Sequence, residues 1–130
     1  MIKEFNSLEE IQKYYDEDTN TYIFKEDDEY IDLVVFNFDL YINANIDAMD
    51  INAWDIHAND INAWDINARN IRANDIYAWD VIASDINAND ISYFAVCYAY
   101  KNIICRSIKG RALATNHFVL YGKLEVENDK

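Results

Sequence analysis

A five-residue repeat over residues 46–90 constrains the fold of this chain more than any other feature. Nine consecutive units run from IDAMD to INAND. The first position is Ile in every unit except at Val81, the third is always Ala, and the fifth is Asp in eight units and Asn70 in the other. The second and fourth positions vary. Such strict tandem repetition predicts a solenoid in which one small unit stacks on copies of itself.

A period of five fits neither a continuous helix nor a continuous strand. In a helix, five residues rotate by about 140°, so the isoleucines would scatter around the axis. In a straight strand, an odd step sends alternate isoleucines to opposite faces. The side chains of Ile and Ala both point inward if Ile-x-Ala is a short extended piece. Positions four and five then form a corner, where Asp and Asn turn the chain and tolerate unusual φ. We therefore expect four such pieces to close a square coil of ~20 residues, with coils stacked at ~4.8 Å.

The repeat resembles that of the pentapeptide-repeat proteins, whose fold is a right-handed quadrilateral β-helix. The resemblance covers 45 of 130 residues and continues through degenerate units after Ile91. One difference is that the family places a small residue before a large one, whereas here large Ile precedes small Ala. The predicted fold class is all-β: a right-handed quadrilateral β-helix over residues 43–110, with a small α+β cap before it and a C-terminal β-hairpin and aromatic module after it.

Residues 1–42 are predicted to form the N-terminal cap, because an open β-helix end exposes core and unpaired strand edges. This segment has 12 acidic and 3 basic residues. Ser7 and Glu10 form a capping-box pattern that predicts a helix from about Leu8 to Asp16. Two strand-like stretches, 21–24 and 30–40, are separated by an acidic turn, and the alternating apolar residues that end this segment lead into the coil: Phe36, Phe38, Leu40 and Ile42.

Residues 111–130 are predicted to form a terminal hairpin, with 117–120 pairing 123–127 around Tyr121 and Gly122. Before it, the five-residue step persists through Ile103, Ile108, Leu113 and Phe118, with Cys105 and Gly110 in the slot of Ala, which predicts one or two further coils in a shifted register. The resemblance suggests a homodimer through aromatic residues at this end; equally, these rings would simply plug the coil. The candidate residues are Phe94, Tyr98, Tyr100, Phe118 and Tyr121.

The formal net charge of −13 excludes general binding of DNA, RNA or anionic membranes. The chain shows no signal-peptide pattern and no membrane-length apolar run. Cys97 and Cys105 are spaced as neither a metal pair nor a redox motif. We expect both to be core residues in a reducing, cytoplasmic setting.

No catalytic, cofactor-binding or metal-binding residues are predicted. His57 occupies a variable, outward position of the repeat, and His117 has no Ser or Cys partner in a recognisable arrangement. Gly110 and Gly122 are isolated, so no phosphate-binding loop is present in the sequence. The repeat also lacks the glycines of calcium-binding repeats. The sequence therefore favours a protein that is not an enzyme and needs no cofactor.

The corner carboxylates are the main functional feature. A 20-residue coil would stack Asp55 near Asp75, Asp60 near Asp80 and Asp65 near Asp85, and would give about one carboxylate per 1.2 Å of axis, against about 1.7 Å per charge in duplex DNA. A rigid acidic rod of that density can occupy a basic channel meant for a duplex. The predicted partner-binding residues include the acidic turn of the cap; they are Asp50, Asp55, Asp60, Asp65, Asp75, Asp80, Asp85, Asp90, Glu26, Asp27, Asp28 and Glu29.

Some pentapeptide-repeat proteins inhibit or protect DNA gyrase by resembling duplex DNA. The resemblance implies a nucleic-acid mimic whose protein partner is a nucleic-acid-processing enzyme: DNA gyrase or topoisomerase, or a CRISPR effector or restriction nuclease if the protein is phage-borne. The alternative is a structural or protein-interaction module in which Asp and Asn serve only as corners and for solubility. Trp54, Trp64 and Trp79 are expected to point outward on different faces, as contact residues or lying flat over the coil edges.

Overall fold

A computed structural model describes residues 2–35, 38–112 and 116–126 as a β-solenoid of about five turns. A 3-10 helix spans Leu8–Tyr14. The strands are β1 Ile2–Phe5, β2 Tyr15–Asp16, β3 Thr21–Ile23, β4 Lys25–Glu26, β5 Glu29–Tyr30, β6 Asp32–Val35, β7 Leu40–Tyr41, β8 Asn45–Asp47, β9 Asp50–Ala53, β10 Asp55–His57, β11 Asp60–Asn62, β12 Asp65–Asn67, β13 Asn70–Arg72, β14 Asp75–Asn87, β15 Asp90–Cys105, β16 Ser107–Gly110, β17 Asn116–Val119 and β18 Leu124–Val126.

The coil of the repeat contains three units and not four. Ile56 pairs in parallel with Ile71, and Ile61 pairs with both Ile46 and Ile76, so equivalent residues are 15 apart. The predicted β-helix is confirmed, but the 20-residue, four-sided coil is wrong. The period of five requires only that a coil contain a whole number of units; how many units close it depends on the angle at each corner, which the repeat pattern does not encode.

Three stacked faces result, and they are named here by their repeat strands. Face A contains β9 and β12 and continues into 80–83 of β14; β1 and β6 precede it and β17 ends it. Face B contains β10 and β13, between β7 and β18. Face C contains β8 and β11, between β3 and β16. The corners between them are called corner AB, corner BC and corner CA.

The interior is filled as the repeat predicts. The first-position residues from Ile46 to Ile86 are at most 2% exposed, and the third-position alanines are buried, apart from partly buried Ala73. Second-position side chains such as His57 point to solvent. Because each face contributes one branched side chain and one methyl to every layer, the core is a continuous apolar column along the axis.

Backbone hydrogen bonds between coils continue around the corners. The bend lies at position four, where the N–H of Trp79 bonds to the carbonyl of Trp64 at 2.7 Å and the N–H of Asn74 bonds to that of Asn59 at 2.6 Å. Among the described residues, positive φ at a non-glycine position occurs only outside the repeat, at Asn20, Asp27 and Asp28. Asp and Asn therefore turn the corners of the repeat in ordinary backbone conformations, and carbonyl groups of neighbouring coils accept hydrogen bonds from the corner N–H groups.

The coil widens after the repeat. Asp80 pairs with Val96, 16 residues on, and Asp85 pairs with Asn102, 17 residues on, with irregularities at the two intervening corners. The extra residues enlarge the cross-section, so that fully buried Tyr93 occupies the slot that Ala78 fills one coil earlier. The predicted further coils in a shifted register are confirmed, with Cys105 buried on face B.

The predicted C-terminal hairpin is wrong. β17 and β18 each pair in parallel with β15 and not with each other, so the described chain continues to coil. His117 takes the inward slot in register with Cys97, and Phe118 is outward and 48% exposed. Gly122 is required between these strands, because a Cβ there would lie 1.7 Å from the carbonyl oxygen of Lys101. Leu113 lies outside the described residues.

The N-terminal segment both extends the solenoid and covers its end. β1, β3, β6 and β7 belong to the solenoid sheet, while the 3-10 helix contacts β1 and β3. Its buried Tyr14 packs against Phe5 and Phe24, with ring centroids 5.7 and 5.1 Å away. The predicted helix is thus a 3-10 helix, and Ser7 makes no side-chain cap bond; instead, the Glu10 carboxylate accepts from the Asn6 N–H at 2.9 Å. Phe36 lies outside the described residues.

Six parallel spacings separate β1 from β17 along face A, which gives a ladder of about 29 Å at ~4.8 Å per strand.

In the described part of the chain, no helix has the length and apolar content needed to cross a membrane.

Candidate protein-interaction surface

Three columns of corner residues run along the solenoid, one at each corner. The 15-residue register replaces the stacking predicted for a 20-residue coil. Corner CA stacks Asp50, Asp65 and Asp80, corner AB stacks Asp55, Asn70 and Asp85, and corner BC stacks Asp60, Asp75 and Asp90. The eight repeat aspartates thus belong to three surfaces with different chemistry.

Corner CA carries a carboxylate column that has no ion pair among the described residues. Asp32 extends it at the N-terminal end, where its carboxylate accepts a hydrogen bond from the Asp50 N–H at 3.3 Å. Burial, followed by the charge of Asp32, raises the pKa of Asp50. Burial, followed by the charges of Asp50 and Asp80, raises the pKa of Asp65. The column is therefore a line of mutually repelling carboxylates.

An aromatic column lies beside these carboxylates at corner CA. Position four holds Met49, Trp64 and Trp79, and Phe94 follows in the next coil. The rings of Trp64 and Trp79 are stacked, with centroids 4.7 Å apart and planes 5° apart, and Phe94 packs on Trp79 at 5.1 Å. Trp64 and Trp79 are nevertheless 48% and 44% exposed. The expectation that they lie on different faces is wrong, because one full coil separates them.

Corner AB alternates charged and neutral residues. The Asp55 carboxylate accepts hydrogen bonds from the Asn70 side chain at 3.0 Å and from Arg69 Nε at 3.4 Å. Arg69 also lies over the ring of Trp54, 5.3 Å from its centroid. Asp85 accepts from the N–H and side-chain amide of Asn102, both at 3.2 Å. At this corner, each carboxylate has a donor from the next coil.

Corner BC is acidic but partly neutralised. Asp60, Asp75 and Asp90 stack there. The Asp90 carboxylate accepts from Arg106 at 2.5 Å and from the Ser107 hydroxyl at 2.7 Å, and these bonds lower its pKa. The charge of the column is therefore reduced at its C-terminal end.

The arginines of the repeat lie on or beside face B. Arg72 lies on face B in register with His57, and Arg69 occupies corner AB. Arg106 occupies corner BC. In the described part of the chain, no cationic nitrogen lies within ion-pairing distance of Asp32, Asp50, Asp65 or Asp80. Arg111 lies beside the end of the aromatic column, with its guanidinium carbon 4.0 Å from the ring centroid of Tyr77 and 5.9 Å from that of Phe94. The rod thus has an acidic, aromatic corner with one arginine at its end, and on the other side a face with basic residues.

The predicted acidic turn of the cap is the β4–β5 hairpin. Asp27 and Asp28 form its tip, with φ of 54° and 65°, and are exposed with Glu29. Glu26 is different, because it accepts from the Tyr14 hydroxyl at 2.5 Å and pairs with Lys3 at 3.0 Å. These contacts lower the pKa of Glu26. Glu26 therefore serves the packing of the cap, whereas its three neighbours are available to a partner.

The residues predicted to mediate dimerisation do not form one cluster. Tyr98 packs on Phe118 with ring centroids 4.6 Å apart, and Tyr100 packs on Tyr121 at 5.0 Å. Phe94 belongs to the aromatic column of corner CA. Dimerisation through this end stays a prediction.

Each of the two histidines contacts a tyrosine. His57 is exposed and contacts Tyr41 edge to face at 5.2 Å. His117 Nδ1 lies 2.6 Å from the hydroxyl of buried Tyr93. Within the described ranges, no group of three or more His, Cys, Asp or Glu side chains is arranged to hold a metal ion.

The sequence contains two signals of the three-unit coil that the five-residue unit alone does not reveal. Met49, Trp64, Trp79 and Phe94 are spaced by 15 residues, as are Asn59, Asn74 and Asn89. Both series indicate three units per coil, since like residues at position four stack. Asp32 had no such signal, because it lies 18 residues before Asp50 in an irregular coil.

Comparisons with protein-family models, curated proteins and solved structures give no match to this chain.

Proposed function

We propose that this protein is a non-enzymatic member of the pentapeptide-repeat class that acts as a nucleic-acid mimic. In this proposal it binds and inhibits or modulates a protein that processes DNA or RNA. The observation that carries the proposal is the regular acidic solenoid, in which corner carboxylates recur from coil to coil along the repeat.

The charge density of the repeat supports the proposal. Residues 46–90 contain 9 acidic and 2 basic residues, a net charge of −7. Nine units at three per coil make three coils, which rise about 14 Å at ~4.8 Å per coil. One net negative charge per ~2 Å of axis follows, close to the ~1.7 Å of duplex DNA. The three-unit coil also lengthens the repeat relative to a four-unit coil, so the rod offers more axial length to a basic channel.

The partner class follows from the same argument. A basic channel that accepts a duplex is found in DNA gyrase and other topoisomerases, and in CRISPR effectors and restriction nucleases. Association would be steered by long-range attraction and weakened by salt. A partner of this class implies a cytoplasmic protein, and the buried thiols of Cys97 and Cys105, neither of which is in a disulfide, are compatible with a reducing compartment.

Affinity capture from bacterial lysate at low and high salt, with identification by mass spectrometry, tests the proposal. The expected result is salt-sensitive recovery of a nucleic-acid-processing enzyme, and duplex DNA should compete with the protein for that enzyme. Recovery of no DNA- or RNA-binding protein would contradict the proposal. A captured enzyme that binds DNA and this protein simultaneously would also contradict it, because a mimic must occupy the nucleic-acid site.

The second candidate is a structural or protein-interaction module in which the carboxylates serve the fold. The bonds from backbone N–H groups of the next coil favour it: Asp80 accepts from Val96 at 3.0 Å, and Asp85 accepts from Asn102. Replacing Asp55, Asp60 and Asp65 with Asn separates the two candidates. A triple variant that folds but no longer binds its target supports the nucleic-acid mimic. A triple variant that does not fold supports the second candidate, in which the carboxylates accept hydrogen bonds at the corners.

A further inference from the structure

The exposed aromatic ridge at corner CA points to the part of the rod that contacts a partner. The ridge consists of Trp64, Trp79 and Phe94 and runs parallel to the column of Asp50, Asp65 and Asp80. Nearly half the surface of each Trp is exposed. Exposed tryptophans in a row are unusual on a free surface and are enriched in contact surfaces.

The stacking decides what the ridge can bind. Trp79 has the ring of Trp64 on one side and that of Phe94 on the other, so its faces are covered and its edge is exposed. A ring edge carries the positive end of the quadrupole and does not attract a cation. Trp79 therefore offers an apolar edge, while the ring of Phe94 already has the Arg111 guanidinium 5.9 Å from its centroid. Along the tryptophans, the attraction for further cations comes from the adjacent carboxylates.

Charge complementarity identifies the occupant. Arg and Lys side chains combine an apolar stem with a charged head, so the stem can lie on the ring edges while the head pairs with a carboxylate. The carboxylates of Asp50, Asp65 and Asp80 are not paired with cations within the described ranges, and they repeat at ~4.8 Å along the ridge. The other two corners are less suitable, because Arg69 already pairs with Asp55 at corner AB and Arg106 with Asp90 at corner BC.

We propose that corner CA is the docking surface for a basic, arginine- and lysine-bearing segment of the partner protein, with the aromatic ridge holding the side-chain stems. The proposal rests on the proposed function and adds to it the side of the rod that faces the basic channel. Face B, which carries Arg72 and His57, faces away from the partner.

Matched pairs of variants test the surface, and the chain itself shows that the replacements fit. Asn replaces Asp naturally at Asn70, and Ser occupies position four at Ser84. The test variants are Asp50→Asn with Asp65→Asn, and Trp64→Ser with Trp79→Ser. The controls are Asp60→Asn with Asp75→Asn, which removes the same charge at corner BC, and Trp54→Ser at corner AB.

The probe is a ten-residue arginine peptide titrated into the full-length protein, followed by the three tryptophan indole N–H signals in NMR spectra. Assignment comes from the loss of each signal in single Trp→Ser variants. We expect the signals of Trp64 and Trp79 to shift and that of Trp54 to stay in place. The corner CA variants should weaken peptide binding about tenfold and the controls less than about threefold. Circular dichroism confirms that each variant is folded.

Equal shifts of all three indole signals, or equal weakening by the corner CA and corner BC variants, would overturn the proposal. That outcome would show a response to net charge rather than a docking surface. The peptide experiment is also independent of lysate capture. If capture fails while corner CA still binds the peptide selectively, the proposed function is refuted and the docking surface is supported. If capture succeeds and the corner CA variants bind the captured enzyme normally, only the docking surface is refuted.

Discussion

Replacing Asp65 with Asn should stabilise the fold, because Asp65 lies between two like charges in the corner CA column. Asp50 precedes it by one coil and Asp80 follows it. The variant keeps the side-chain oxygen that can accept a hydrogen bond and removes only the charge. Asp85→Asn is the matched control, since the neighbours of Asp85 in its column are Asn70 and Asn102.

The magnitude follows from the coil spacing. Two unit charges ~4.8 Å apart repel by about 0.9 kcal/mol in bulk water, and screening at physiological ionic strength reduces this to about 0.5 kcal/mol. Asp65 has two such neighbours, so the free energy of unfolding should rise by about 1 kcal/mol and Tm by about 3–5 °C. Asp85→Asn should leave stability unchanged or lower it, because it weakens the acceptor for two bonds from Asn102.

Urea denaturation followed by circular dichroism measures the effect at low salt and at 1 M NaCl, where the gain should largely disappear. The pH dependence has a definite sign. Because the folded-state pKa of Asp65 is raised, its unfavourable contribution is present above that pKa and is relieved as the pH falls through it. The advantage of Asp65→Asn should therefore shrink on acidification. A destabilised variant, or a gain that salt and pH leave unchanged, would refute the stacked-carboxylate reasoning.

Three further experiments probe the coil itself. Ile61→Ala should lower the free energy of unfolding by about 2–5 kcal/mol, whereas Asn62→Ala on the outer surface should change it by less than about 0.5 kcal/mol, as measured by urea denaturation. Gly122→Ala should lower Tm, because its Cβ cannot fit beside the Lys101 carbonyl; an unchanged Tm would contradict the close approach of Gly122 to that carbonyl. The Cys97 thiol should resist alkylation at pH 8 in the native protein and react after denaturation, because burial raises its pKa to about 12; rapid native labelling, followed by mass spectrometry, would contradict that burial.

Much of the fold could be predicted because each unit specifies its own local geometry. Alternation of Ile and Ala around an exposed residue predicts an inward pair and a bend, and tandem copies predict stacking. Burial of Ile56 and Ala58 on either side of exposed His57 confirms this reasoning. The prediction of a cap rests on the same kind of reasoning, since an open solenoid end must be covered.

The details of the candidate surface could not be predicted from the unit alone. Asp65 has Asp50 and Asp80 as neighbours in a three-unit coil, whereas four units per coil would place it beside Asp85. The unequal corners arise from the same closure, which puts Trp64 against Trp79 and separates Trp54 from both. The local pattern of the C-terminal strands predicts a hairpin, because it does not distinguish pairing with a neighbour in sequence from pairing with the previous coil.

The sequence by itself determined that the chain forms a solenoid, which side chains enter its core, and that a carboxylate recurs at nearly every corner. These properties are local, because each depends on the residue types within five positions. The tertiary structure alone decided that three units close a coil, that one corner brings a column of carboxylates beside the stacked tryptophans, and that the repeat arginines Arg69 and Arg72 lie on or beside face B. These properties are global, since they depend on corner angles summed around a turn and on contacts between residues one coil apart.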